Sequence, residues 1–97
     1  MRKYEIMYIL DASLSDEDRN ALITKLHDII TSDEGKIIDV NEWGVREFAY
    51  PINNMTKGYY IVITIEAKSE TIREFDRIFR IEGDCIRNLA VKLDEEG

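Results

Sequence analysis

The side chains able to do acid–base, nucleophilic or ligand chemistry are few and scattered. There is one histidine, His27, and one cysteine, Cys85. His27 stands alone on an expected helix. It lies about 100° round from the centre of the apolar stripe, by the angular step of a 3.6-residue turn, which makes it a solvated or boundary residue rather than a ligand or base. Cys85 opens an expected strand and reads as a small apolar residue. A metal site needs a cysteine pair or a cluster of His, Cys and carboxylates at ligand spacing, and neither is present. The carboxylates sit at helix starts, on solvent faces and in the terminal DEEG. No two converge on an apolar wall that would drive their pKa values apart into an acid and a base. No catalytic residue, metal ligand, cofactor or small-molecule substrate is therefore expected. The cations remain, and their chemistry is charge-assisted hydrogen bonding to phosphate. Arg2, Lys3 and Lys92 are expected at one end of a sheet, and Arg46, Lys57 and Arg87 toward the other. Arg73, Arg77 and Arg80 form a row along a helix with Glu70, Glu74 and Asp76 as neighbours, the pattern of a solvated face.

Thirteen cations against twenty carboxylates leave a formal charge of −7 over 97 residues. That balance disfavours non-specific binding to anionic polymers, yet local patches rather than the sum make phosphate contacts. A lone cysteine cannot close an internal disulfide, so a cytoplasmic protein is expected. The start, MRKYEIMYIL, is too short an apolar run, interrupted by Glu5, for a signal peptide, and nothing approaches the length of a membrane span.

The elements that position these residues follow from periodicity. Tyr4, Ile6, Tyr8 and Leu10 alternate with Lys3, Glu5, Met7 and Ile9, the pattern of a strand with one buried face. DASLSDED ends it. Ser15, three residues before Asp18 and followed by acidic residues, starts a helix. Leu22, Ile23, Leu26, Ile29 and Ile30 recur at helical spacing, and Gly35 ends the helix. A second strand from Lys36 to about Tyr50 is expected to point Ile38 and Val40 inward, with Gly44 marking a bulge or bend. PINNMTKG is read as the hairpin tip, with Pro51, Asn53, Asn54 and Gly58 as turn residues. A third strand spans Tyr59 to Ala67. Ser69 is expected to cap a second helix with the stripe Ile72, Phe75, Ile78 and Phe79, and Gly83 breaks it. In CIRNLAVKL, the fourth strand, the apolar parity of Leu89, Val91 and Leu93 is expected to be the buried one. Residues 94–97 are expected to fray.

The order β-α-β-β-α-β, with one apolar stripe per helix, predicts a single α+β domain over residues 1–97. Its plan is ferredoxin-like: a four-stranded antiparallel sheet with both helices on one face. The other face stays open. Tyr59, Ile61, Ile63 and Ile65 are assigned to the core and Tyr60, Val62, Thr64 and Glu66 to the open face. Met7, Ile9, Tyr60 and Val62 then form a partly apolar docking surface for a partner. KGYYIVIT matches the stacking strand of an RNA-recognition motif only superficially, because Tyr59 and Ile61 have core parity. Acyl-phosphate hydrolysis on this plan needs an arginine in the loop after the first strand, and DASLSDED has none.

The stretch WGVREFAYPIN carries a resemblance. It is similar to the signature of the family of protein six of the bacterial small ribosomal subunit. Gly44, Arg46, Glu47, Ala49, Tyr50, Ile52 and Asn53 fit that pattern; Phe48 stands in for a leucine, and Val45 for a position that is often basic. MRKYEIMYIL, EGKI and IRNLAVK resemble the family as well. The resemblance implies a non-enzymatic ribosomal protein that binds the central domain of small-subunit ribosomal RNA together with small-subunit protein eighteen. That partner is basic, which gives the acidic charge a purpose. It implies Arg2, Lys3 and Arg46 as leading RNA contacts, with Lys57, Arg87 and Lys92 behind them, and Phe48 and Tyr50 as anchors of the hairpin to the core. The alternative is a stand-alone domain of the same fold that dimerises through its open face and binds a small ligand.

Overall fold

The computed structural model describes residues 1–52 and 55–93. Its elements are β1 (Arg2–Asp11), α1 (Asp16–Ser32), β2 (Lys36–Ile52), β3 (Met55–Ala67), α2 (Ser69–Ile81) and β4 (Cys85–Lys92). The strands pair in the order β2-β3-β1-β4, every neighbouring pair antiparallel. This is the ferredoxin-like βαββαβ plan. The core joins one face of the central strands to the helices: Tyr4, Ile6, Tyr8 and Leu10 of β1 and Ile61, Ile63 and Ile65 of β3 meet Leu22, Leu26 and Ile30 of α1 and Phe75 and Phe79 of α2. The phenol of Tyr8 is wholly buried, and its hydroxyl lies 2.8 Å from Nε2 of His27 at the helix boundary. That contact satisfies a polar group that would otherwise be stranded in the core.

The helix ends follow local chemistry, with two departures. At the start of α1 the Ser15 side chain accepts from the Asp18 amide at 3.1 Å, and Asp16, Glu17 and Asp18 occupy the first turn. At its end the left-handed residue is Glu34, at φ 67°, rather than the glycine. Gly35 serves by close approach: its amide donates to the Ile30 carbonyl at 2.8 Å, and a Cβ there would lie 2.6 Å from that oxygen. The cap position of α2 is Lys68, which makes no side-chain cap bond, and Ser69 is already helical. The helix is fixed instead through buried Thr71, whose hydroxyl donates to Asp33 at 2.6 Å and so ties the start of α2 to the end of α1.

Three expectations about the strands are corrected. Ile38 and Val40 are exposed: β2 is an edge strand, a register shift falls between Ile37 and Asp39, and it is Ile37 that packs on the core. On β4, Leu89 and Val91 pair with Met7 and Glu5, so the apolar set looks out from the open face. The helix side of β4 is held by Cys85 and by Asn88, which donates to Asp76 at 3.1 Å. Finally, the strands of the hairpin run further than expected. Pro51 lies within β2, tolerated because an edge strand has an unpaired side. Gly58 is a buried strand residue, not a turn residue. Asn53, Asn54 and residues 94–97 lie outside the described residues.

Candidate nucleic-acid interface

Directly paired residues of antiparallel strands share a face, so the register lays out the open face in rows. One row crosses all four strands: Arg87 pairs with Ile9, Ile9 with Tyr60, and Tyr60 with Gly44. On one side of it Asp11 pairs with Gly58 and Gly58 with Arg46; on the other, Leu89, Met7, Val62 and Asn41 stand in line. Gly44 has φ 85°, and the register shifts between Glu42 and Gly44, so the expected bulge is present. The bulged residue is Trp43. Gly44 brings no side chain opposite Tyr60, and the Trp43 ring lies near the Tyr60 ring. The two rings are 6.3 Å apart between centroids and within 6° of parallel. The Arg46 guanidinium sits 5.7 Å from the centre of the Trp43 ring, within cation–π range.

Gly58 makes the second accommodation. With no Cβ it leaves a hollow filled by the Phe48 ring and by Ile9, whose γ2 methyl would be 2.4 Å from any β-carbon placed there. Phe48 lies 6.2 Å from the Tyr60 ring. Phe48 therefore anchors the hairpin on the open face and not, as expected, to the core, and Ile9 lies beneath it, only 5% exposed, supporting the surface rather than forming it. Tyr50, 81% exposed, anchors nothing.

The six cations form the two expected groups, and the faces divide them. Lys3 pairs with Glu66, Arg2 with Ala67 and Lys92 with Tyr4, at one end of the sheet; Arg46, Lys57 and Arg87 stand toward the other. Lys3, Arg46 and Arg87 share the open face, whereas Arg2, Lys57 and Lys92 have the parity of the helix side. The solvated reading of the α2 row fits two of its members: Arg77 pairs with Glu74 at 2.7 Å and Arg80 with Asp76 at 2.9 Å.

On the helix side a contact that sequence reasoning missed braces the hairpin. The Tyr59 hydroxyl donates to Glu42 at 2.6 Å, and the Arg19 guanidinium lies 4.2 Å above the Tyr59 ring while pairing with Asp16 at 2.7 Å. The Glu42 carboxylate, holding the phenol proton, raises the Tyr59 pKa. Reactive groups are quiet. Burial, then Glu82 and Asp84, push the Cys85 thiol up to about 12, far from the thiolate a nucleophile needs. Burial lowers His27 below the ordinary imidazole range and raises Tyr8. Among the described residues no group of three or more His, Cys, Asp and Glu could hold a metal, and no helix is long and apolar enough to cross a membrane. Sequence reasoning also missed the Trp43–Tyr60 pair. The only usable hint was a tryptophan beside an in-strand glycine.

Antiparallel split-βαβ connectivity, helices on one face, and cations and aromatics gathered on the other define a ferredoxin-like domain with an open sheet face. The model of the ribosomal protein S6 family matches residues 3–92, and the chain belongs to that family. Among solved structures it is similar to the 30S ribosomal protein S6 of Thermotoga maritima. The two are 30% identical, the match covers 95% of this chain and 87% of that one, and the TM-score is 0.89. A protein of Arabidopsis thaliana matches over 100% of this chain and 97% of its own at a TM-score of 0.57. With 17% identity it shows the shared fold alone. The family consists of structural proteins of the small ribosomal subunit, so ribosomal RNA and ribosomal proteins are the partners it implies.

Proposed function

We propose that this chain binds the central domain of small-subunit ribosomal RNA jointly with small-subunit protein eighteen, as a structural and not a catalytic component. The observation that carries the reading is the open face, where Lys3, Arg46 and Arg87 stand at the two ends of an apolar field on an otherwise acidic protein. Met7, Tyr60 and Val62, supported by Ile9, give a basic partner an apolar seat, and Leu89, Val91 and Leu93 widen it. The charge of −7 favours encounter with such a partner. Arg2, Lys3 and Arg46 are the leading phosphate contacts, with Lys57, Arg87 and Lys92 secondary.

Titration with central-domain RNA, with and without the partner and across a salt series, tests this. The partner should tighten binding. Arg46→Ala should lower the slope of log K against log salt by roughly one phosphate contact, and Arg73→Ala should leave it unchanged. Equal, tight RNA affinity with and without the partner refutes joint binding. A loss at Arg73→Ala but not at Arg46→Ala refutes the assignment of the face.

A further inference from the structure

We infer that Trp43 and Tyr60, flanked by Arg46 and Arg87, form a platform that stacks an unpaired nucleobase of single-stranded RNA. The inference rests on the proposed reading that the open face meets RNA, and it names the chemical group that this part of the face takes. Trp43 is the only tryptophan of the chain and stays 47% exposed. Its ring arrangement differs from the packing around Tyr8, which meets His27, Phe75 and Phe79 edge to face. Trp43 and Tyr60 are parallel, so the pair presents flat π-faces, the surface on which bases stack whatever their sequence.

Around Trp43 the charges favour an anionic ligand, while the basic partner's apolar seat extends from Tyr60 toward Lys3, over Val62, Met7 and Val91. Arg46 stands beside the indole, and Arg87 flanks Tyr60 from the far side, in the same row and lining the same shallow depression with Met7, Ile9 and Leu89. Strand spacing puts β2 and β4 about 14 Å apart, so a backbone crossing the rings meets a guanidinium on each side. The carboxylates nearest the rings point or bond elsewhere. Glu42 accepts from Tyr59 on the opposite face, Glu47 has the parity of that opposite face, and Asp11 accepts from the amide and hydroxyl of Ser13 at 2.9 and 2.8 Å. A duplex hides its base faces; a single strand offers them.

Because no other tryptophan contributes, emission reports Trp43 directly. Hexa-adenylate and hexauridylate should quench it saturably, while a blunt RNA duplex and inorganic polyphosphate should not. By anisotropy of labelled hexamer, Trp43→Leu should bind about five- to hundred-fold more weakly and Trp43→Phe by less, since a π-face remains. Polyphosphate quenching as strongly as the hexamers, or unchanged binding by Trp43→Leu, overturns the platform. So does a spectral shift on adding the basic partner protein with no response to RNA, which would make Trp43 a protein anchor. Joint assembly with central-domain RNA and partner separates the two readings. Loss with Arg46→Ala but full assembly with Trp43→Leu leaves the function standing and removes the platform. Wild-type assembly by both variants removes the platform and the Arg46 contact, and only a wild-type protein that fails to assemble removes the function.

Discussion

Gly58→Ala sets two effects of opposite sign against each other. In a strand, replacing glycine with alanine reduces the freedom of the unfolded chain and stabilises by about 0.4–1 kcal/mol where the site can accept a methyl group. At Gly58 the methyl would sit 2.4 Å from the Ile9 γ2 carbon and 2.7 and 3.0 Å from Cζ and Cε1 of Phe48. Ordinary carbon contacts lie near 3.5–4.0 Å, so the overlap with Ile9 exceeds about 1 Å. Ile9 is β-branched, nearly buried and on a central strand, and it has little room to turn. Phe48 stands on the edge strand and must be the group that moves, which lifts the hairpin anchor. Overpacking of this kind typically costs about 1–3 kcal/mol. Net of the entropic gain, we expect a loss of about 1–2 kcal/mol and a Tm lowered by roughly 5–10 °C for a domain of this size. Urea and thermal unfolding of Gly58→Ala, Phe48→Leu and the double variant measure it. The truncated ring should relieve part of the clash, so the two losses should fall short of additivity. A Gly58→Ala protein that melts at or above wild type refutes the close approach.

Gly44→Val should lose about 1–3 kcal/mol through its φ of 85° alone, because nothing lies within 4 Å of a β-carbon there. Val45→Arg, at a site 52% exposed, should unfold within about 0.5 kcal/mol of wild type, and equal melting of both variants contradicts the bulge. Glu34→Gly should stabilise by roughly 0.5–1 kcal/mol, since φ 67° strains any L side chain; a lowered Tm refutes this. His27 is held by burial below the ordinary value of 6.5, so the unfolded chain takes up its proton first. That contribution is complete above about pH 6.5 and declines as the pH falls through the folded value. The stability difference between wild type and His27→Gln should therefore shrink from pH 8 to pH 5 in urea titrations; a difference that grows toward acid reverses the assignment.

Much of this protein follows from its residues read in order. The alternation of Tyr4, Ile6, Tyr8 and Leu10, the apolar run Ile61, Ile63 and Ile65, and the stripes of both helices determine the elements and the helix-covered face. Local chemistry does the same for the Ser15 cap and the bulge at Gly44. Those features depend on residues within one turn or one strand of each other. The working surface does not. Leu89 and Val91 belong to the open face because they pair with Met7 and Glu5, more than eighty residues away in the chain. Composition alone favoured the opposite face. Register shifts at Ile37/Asp39, Ile9/Leu10 and Glu42/Gly44 each move side chains relative to their partners, and an alternating pattern does not locate them. The Tyr8–His27 contact spans 19 residues, and the parallel rings of Trp43 and Tyr60 meet only across β2 and β3. Period-two alternation says which residues of a strand share a side. Which side meets the helices is decided by register, and register is a balance of long-range packing that exists only once the strands have met.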